Sequence, residues 1–124
     1  ETPGHSPGCT SWEFNVKDGD ATRSVLIFCS GTVALNRLVT NPTYPGIVTD
    51  YRRTFARAKD LKPDLLLAPH PEMYKMAEKR AKLADGGPNA FVSPGEFNAY
   101  AATLEKAFED ALARQTAAAQ EKKG

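Results

Sequence analysis

Residues 23–30 read RSVLIFCS, a nearly unbroken apolar run rich in residues that favour extended backbone. No other stretch constrains the fold as much, because a strand apolar at successive positions needs cover on both faces. Upstream, SWEFNV (residues 11–16) alternates, which places Trp12, Phe14 and Val16 on one face of a half-buried strand. KDGDAT between the two segments signals a tight turn, so they read as a hairpin whose second strand lies deeper. With Asp18, Gly19 and Asp20 as the loop, Lys17 faces Ala21 and Cys9 falls opposite Cys29; a two-residue Asp18-Gly19 turn shifts that pairing by one. Opposed cysteines in neighbouring strands lie within disulfide reach. Two reduced, buried thiols suit the same pair equally well.

Residues 31–45 form an irregular stretch, where the prolines of TNPTYPG block regular structure, and a loop this long tends to carry function. GIVTDYRRTFARAKDL then sets Ile47, Val48, Tyr51, Phe55 and Ala58 at helical spacing, with Arg52, Arg53 and Arg57 off that face. This predicts an amphipathic helix covering a sheet. KPDLLLAPH supplies a short strand over residues 64–68, buried on both faces and ending at Pro69 and His70. A second helix is expected from about Glu72 to Ala84, with Met73, Met76, Ala77 and Leu83 as its apolar residues, before DGG stops it. The last helix has Ser93, Pro94 and Glu96 at N-cap, N1 and N3, followed by a stripe of Phe97, Tyr100, Ala101, Leu104, Phe108 and Leu112. After Arg114 large apolar groups disappear, so residues 115–124 are expected to fray or lie disordered. No repeat, linker or second domain interrupts this α/β (α+β) pattern.

Sixteen basic and fifteen acidic residues leave a formal charge of +1, which argues against a nucleic-acid partner recruited by bulk charge. No apolar run approaches the roughly 18 residues of a membrane span, and any targeting leader is expected to have been removed or to lie outside this chain. GxSxG, P-loop, HExxH and CxxC motifs are absent, so serine-nucleophile, nucleotide, zincin and dithiol chemistry find no support. Two histidines remain, His5 between Pro-Gly turns and His70 at a strand end, positions where ligands and catalytic groups are commonly presented. A single site built from His5, Cys9, Cys29 and His70 lacks any paired ligand spacing.

Three blocks, PGHSPGCTSW, FCSGTVALNRLVTNPTYPGIVTDYRRTFA and LLLAPHPEM, in this order and spacing resemble the C-terminal half of a class B, subclass 3 metallo-β-lactamase over residues 1–114. The resemblance implies an αββα sandwich with two zinc ions between its sheets. It implies that His5 is the third histidine of the first zinc site and His70 the histidine of the second. Ser30 and Thr32 fall where hydroxyls contact the substrate carboxylate, directly or through water; read without the family, they are turn residues at a strand end. The family is exported to the periplasm, which together with the hairpin register predicts a Cys9–Cys29 disulfide. For the whole enzyme the implied reaction is hydrolysis of the β-lactam amide by a zinc-bound hydroxide, the basis of antibiotic resistance, with the second zinc stabilising the departing nitrogen.

The family's HxHxDH motif, which supplies the other ligands of both zincs, does not occur in this chain. One protein ligand of three remains at each site. A lone imidazole cannot set a catalytic zinc's geometry, so the chain by itself is expected to bind zinc weakly or not at all and to be inactive. Its expected partner is an N-terminal half carrying HxHxDH. A same-fold zinc hydrolase acting on another ester or amide, or a non-catalytic remnant, are the alternatives.

Overall fold

In the computed structural model, which describes all 124 residues, strand β1 (Trp12–Asp18) turns back through Gly19 and Asp20 into β2 (Ala21–Ile27). Gly19 takes φ 60° at that turn. The loop has two residues, with Asp18 opposite Ala21 and Trp12 opposite Ile27. The three-residue loop that set Lys17 against Ala21 is therefore corrected by one position. Strand β3 (Leu65–Leu67) joins the far side of β2 in parallel, pairing Val25 with Leu65 and Ile27 with Leu67, so the sheet order is β1-β2-β3. A parallel neighbour cannot be reached by a tight turn. The irregular segment and helix α1 (Ile47–Ala58) make the crossover.

Paired residues share a face of the sheet. Leu26 and Leu66 point to one side, where α1 and a long final helix cover them, and Phe28 continues the same packing beyond the end of β2. Of the stripe its spacing predicts, Ile47, Tyr51, Phe55 and Ala58 of α1 are buried; Val48 is only half-buried, and Thr54, outside the predicted stripe, is buried as well. Tyr51 stacks on Phe108 with ring centroids 4.8 Å apart, and Phe28 meets Phe97 edge-on at 5.1 Å. The other face carries Trp12, Phe14, Val25, Ile27, Leu65 and Leu67; Val25 is buried and Leu65 and Leu67 half-buried, but Trp12, Phe14 and Ile27 are left uncovered. Trp12 is 66% exposed, Phe14 43% and Ile27 40%. The alternation in β1 is as expected, but the face it defines is bare.

Two helices depart from expectation. Residues 72–84 do not form one helix: Pro71–Tyr74 make a single 3₁₀ turn, Lys75 takes φ 57°, and α2 begins afresh at Met76–Ala84. Met73 and Met76 are half-buried, while Ala77 and Leu83 are exposed, so this helix lies on the surface. It is held instead by Lys79, 5% exposed, whose ammonium meets the Glu96 carboxylate at 2.5 Å and sits 5.7 Å from the rings of Tyr74 and Phe91. The final helix, α3 (Glu96–Glu121), starts two residues later than the Ser93 cap predicts, with Gly95 at the N-cap. Ser93 is drawn away because its N–H donates to the Asp64 carbonyl at 2.7 Å, and Glu96 is taken by Lys79. Nor does the tail fray from Gln115: the helix runs on to Glu121, as an alanine-rich sequence favours. Gln115 anchors it, accepting the Leu38 N–H at 2.7 Å and donating to the Asn36 carbonyl at 3.0 Å.

Candidate metal and substrate site

The sheet topology gathers the candidate residues at one edge. β2 and β3 run parallel and β1 antiparallel to them, so the start of β1 and the ends of β2 and β3 lie together. His5 precedes β1, Ser30 and Thr32 follow β2, and His70 follows β3. Cys9 and Cys29 form a disulfide at this edge, with α-carbons 5.8 Å apart. The observed ladder, extended, would set Cys9 against Ser30; the bond forms because the chain leaves the sheet before Trp12 and is no longer held in register.

The segment leading to His5 is fastened from both sides. Thr2 N–H donates to the Cys9 carbonyl at 2.9 Å, and its hydroxyl pairs with Ser11 Oγ at 2.7 Å. Thr54 of α1 donates its hydroxyl to the Pro3 carbonyl at 2.6 Å. Gly4 takes φ 139° against Tyr51, and a β-carbon there would lie 2.7 Å from that ring. His5 itself is half-buried. Its Nδ1 lies 2.8 Å from the Thr32 carbonyl and 3.1 Å from the Thr32 hydroxyl. A carbonyl only accepts, so Nδ1 carries a proton, which in the neutral ring leaves the lone pair on Nε2. An imidazole in that state is a competent zinc ligand.

Ser30 and Thr32 stand together, their hydroxyl oxygens 3.1 Å apart, and Ser30 Oγ also accepts the Thr32 N–H at 3.3 Å. Ser30 is buried and Thr32 half-buried. His70 is exposed at the head of the 3₁₀ turn, where its carbonyl accepts the Met73 N–H at 3.0 Å while its ring makes no capping bond. No three metal-ligating side chains come together anywhere in the chain. His5 and His70 thus have the right chemistry for zinc but do not make a complete site.

Further groups at this edge escape a reading of the sequence. Asn36 Nδ2 donates to the His5 carbonyl and to the Tyr51 hydroxyl, each at 3.0 Å, and that hydroxyl donates to the Thr32 carbonyl at 2.7 Å. Burial pushes the Tyr51 phenol above its ordinary pKa, which keeps it a neutral donor. A tyrosine inside an otherwise fully buried helix stripe is a signal that its hydroxyl needs a partner. Tyr44 donates to Asp50 at 3.1 Å, and burial together with that carboxylate pushes its pKa up to about 12.

No protein-family model matches the chain. Among solved structures, BJP-1, a subclass B3 metallo-β-lactamase of Bradyrhizobium japonicum, superposes with a TM-score of 0.90 over 94% of this chain at 65% identity. In sequence and fold the chain matches part of a subclass B3 metallo-β-lactamase. A metallo-β-lactamase of Cronobacter sakazakii matches at 38% identity and TM-score 0.85 over 94% of the chain. FEZ-1 of Legionella gormanii matches at 32% and 0.87 over 93%. The chain spans 44% of the length of each of these metallo-β-lactamases.

Proposed function

We propose that this chain is the C-terminal half of a zinc-dependent β-lactam hydrolase, supplying one imidazole to each of two zinc ions and the hydroxyls that hold the substrate. The 65% identity with BJP-1 across 94% of the chain carries this reading. His5 offers a free Nε2 and His70 an exposed ring at the same sheet edge. The remaining ligands come from an N-terminal half bearing HxHxDH. Bound zinc supplies Lewis acidity and makes water acidic enough to act as a nucleophile near neutral pH. This chain's own part is orientation: Ser30 and Thr32 grip the carboxylate of the β-lactam, directly or through water, and so fix the amide for attack. The bare face of Trp12, Phe14 and Ile27 is the surface on which the second sheet of an αββα sandwich rests. The Cys9–Cys29 disulfide supports an exported, periplasmic protein whose activity confers antibiotic resistance.

The deciding experiment is a chromogenic cephalosporin assay with zinc analysis. The chain alone, given zinc, is expected to show no turnover; adding the N-terminal half restores zinc uptake and hydrolysis together, and His5→Ala or His70→Ala abolishes the gain. Robust turnover by the homogeneous 124-residue chain overturns the proposal. In the rejoined protein, replacing Ser30 and Thr32 together by Ala is expected to raise KM about tenfold or more, the scale of a lost hydrogen bond to a charged group. Zinc content should hold, because the shortest bond to His5 comes from the Thr32 main-chain carbonyl, which alanine keeps. Lost zinc with an unchanged KM would show that the hydroxyls are structural.

A further inference from the structure

Two groups on Thr32 reach the same nitrogen of His5, and they differ in what they permit. The hydroxyl, 3.1 Å away, can donate to Nδ1 or accept from it, so it does not discriminate between the two forms of a neutral imidazole. The carbonyl, 2.8 Å away, can only accept, and it admits only the form protonated at Nδ1. Which nitrogen is left for a metal therefore depends on where the Thr32 carbonyl is held. That peptide follows the end of β2 and lies outside the sheet ladder. Its position is set by the Tyr51 hydroxyl, which donates to it at 2.7 Å from a side chain that is 0% exposed.

The direction of these bonds is fixed from the far end. An amide NH₂ has no acceptor capacity, so Asn36 Nδ2 must donate to the Tyr51 oxygen, and the Tyr51 proton must go onward to Thr32. The same NH₂ group donates to the His5 carbonyl. Asn36 is itself held by Gln115 of α3 through its own carbonyl.

We infer that Asn36 and Tyr51 are positioning residues for His5: a one-way hydrogen-bond chain, Asn36 to Tyr51 to the Thr32 carbonyl, holds the imidazole with Nε2 unprotonated and aimed by its backbone. The inference rests on the reading of His5 as a zinc ligand for its purpose, but not for its geometry. Tyr51→Phe removes the hydroxyl and keeps the ring that packs on Phe108. Asn36→Asp keeps the shape and turns a donor into an acceptor, which draws the Tyr51 proton away from Thr32.

The test is the ¹⁵N spectrum of the His5 ring in this chain, recorded at about pH 9, where imidazoles are neutral. The parent chain is expected to show a protonated Nδ1 and an unprotonated Nε2. Both variants are expected to mix the two forms, while Tyr44→Phe, which touches Gly4 and Asp50 but not Thr32, leaves the ring signals unchanged. In the protein rejoined to its N-terminal half, chelator competition is expected to show zinc affinity reduced about tenfold or more by either variant, the usual effect of losing a partner behind a metal ligand. A parent ring protonated at Nε2, or ring signals indifferent to both substitutions in folded protein, overturns the inference. A rejoined parent protein that takes up no zinc overturns the zinc reading instead, and leaves the positioning to stand on the ring signals.

Discussion

At Gly4 the backbone takes φ 139°, and a β-carbon would press on the Tyr51 ring at 2.7 Å and on the α1 backbone at 3.1 Å. Both the dihedral and the contact exclude a side chain at the residue before His5. Gly4→Ala is expected to destabilise the chain by about 1–3 kcal/mol, from strain and overpacking together, in urea unfolding followed by circular dichroism. An unshifted midpoint would show that the His5 loop yields without cost. At this scale the sequence is legible only in part. His5 and His70 stand out as the two histidines, both at turns, but their turn positions alone do not say what they bind. The role of Asn36 is invisible in sequence, because its partners lie 15 and 31 residues away and only the folded loop brings them within reach.

Elements with a strong apolar stripe are readable because the stripe has one physical meaning. Helix α1 and the body of α3 bury most of the residues their spacing marks, with Val48, Tyr100 and Leu112 half-buried. Helix α2 departs from the expected 72–84 span because it has no such stripe; a charged residue, Lys79, is what it buries. Lys79→Ala leaves the Glu96 carboxylate, only 16% exposed, without its cation, and is expected to cost about 3–5 kcal/mol. Removing both charges as Lys79→Met with Glu96→Gln should recover most of that loss in the same denaturation experiment, and a double variant no better than the single one would argue against a buried-charge penalty. The loop that joins β2 to α1 has its own signature in pH. Tyr44 titrates near 12 in the folded chain and near 10 when unfolded. The unfolded form therefore loses its proton first. Stability should be fully present below pH 10 and decline between 10 and 12, and Tyr44→Phe should flatten that decline in alkaline denaturation curves. Tyr51, also raised by burial, adds to the loss with the same sign.

For the molecule as a whole, the bare sheet face offers a direct optical handle. Trp12 is the only tryptophan and lies on that face at the start of the edge strand β1, 66% exposed. Its fluorescence is expected to be that of a solvated indole in the isolated chain and to shift to the blue when an N-terminal half packs on the sheet; no shift on restored activity would place the second half elsewhere. Alternation in β1 announces an apolar face, but the chain's own sequence does not say what covers it. The same topology also ranks the cost of closing the chain on itself. The Cys9–Cys29 link spans 20 residues within one hairpin, whereas β3 must close across about 40 residues, the separation of Ser24 from Asp64, before His70 reaches the shared edge. Gln115 reaches Leu38 across 77. Closure entropy rises with span, so bringing the two cysteines together costs the chain least, pairing β3 with β2 costs more, and the clamp from α3 costs most.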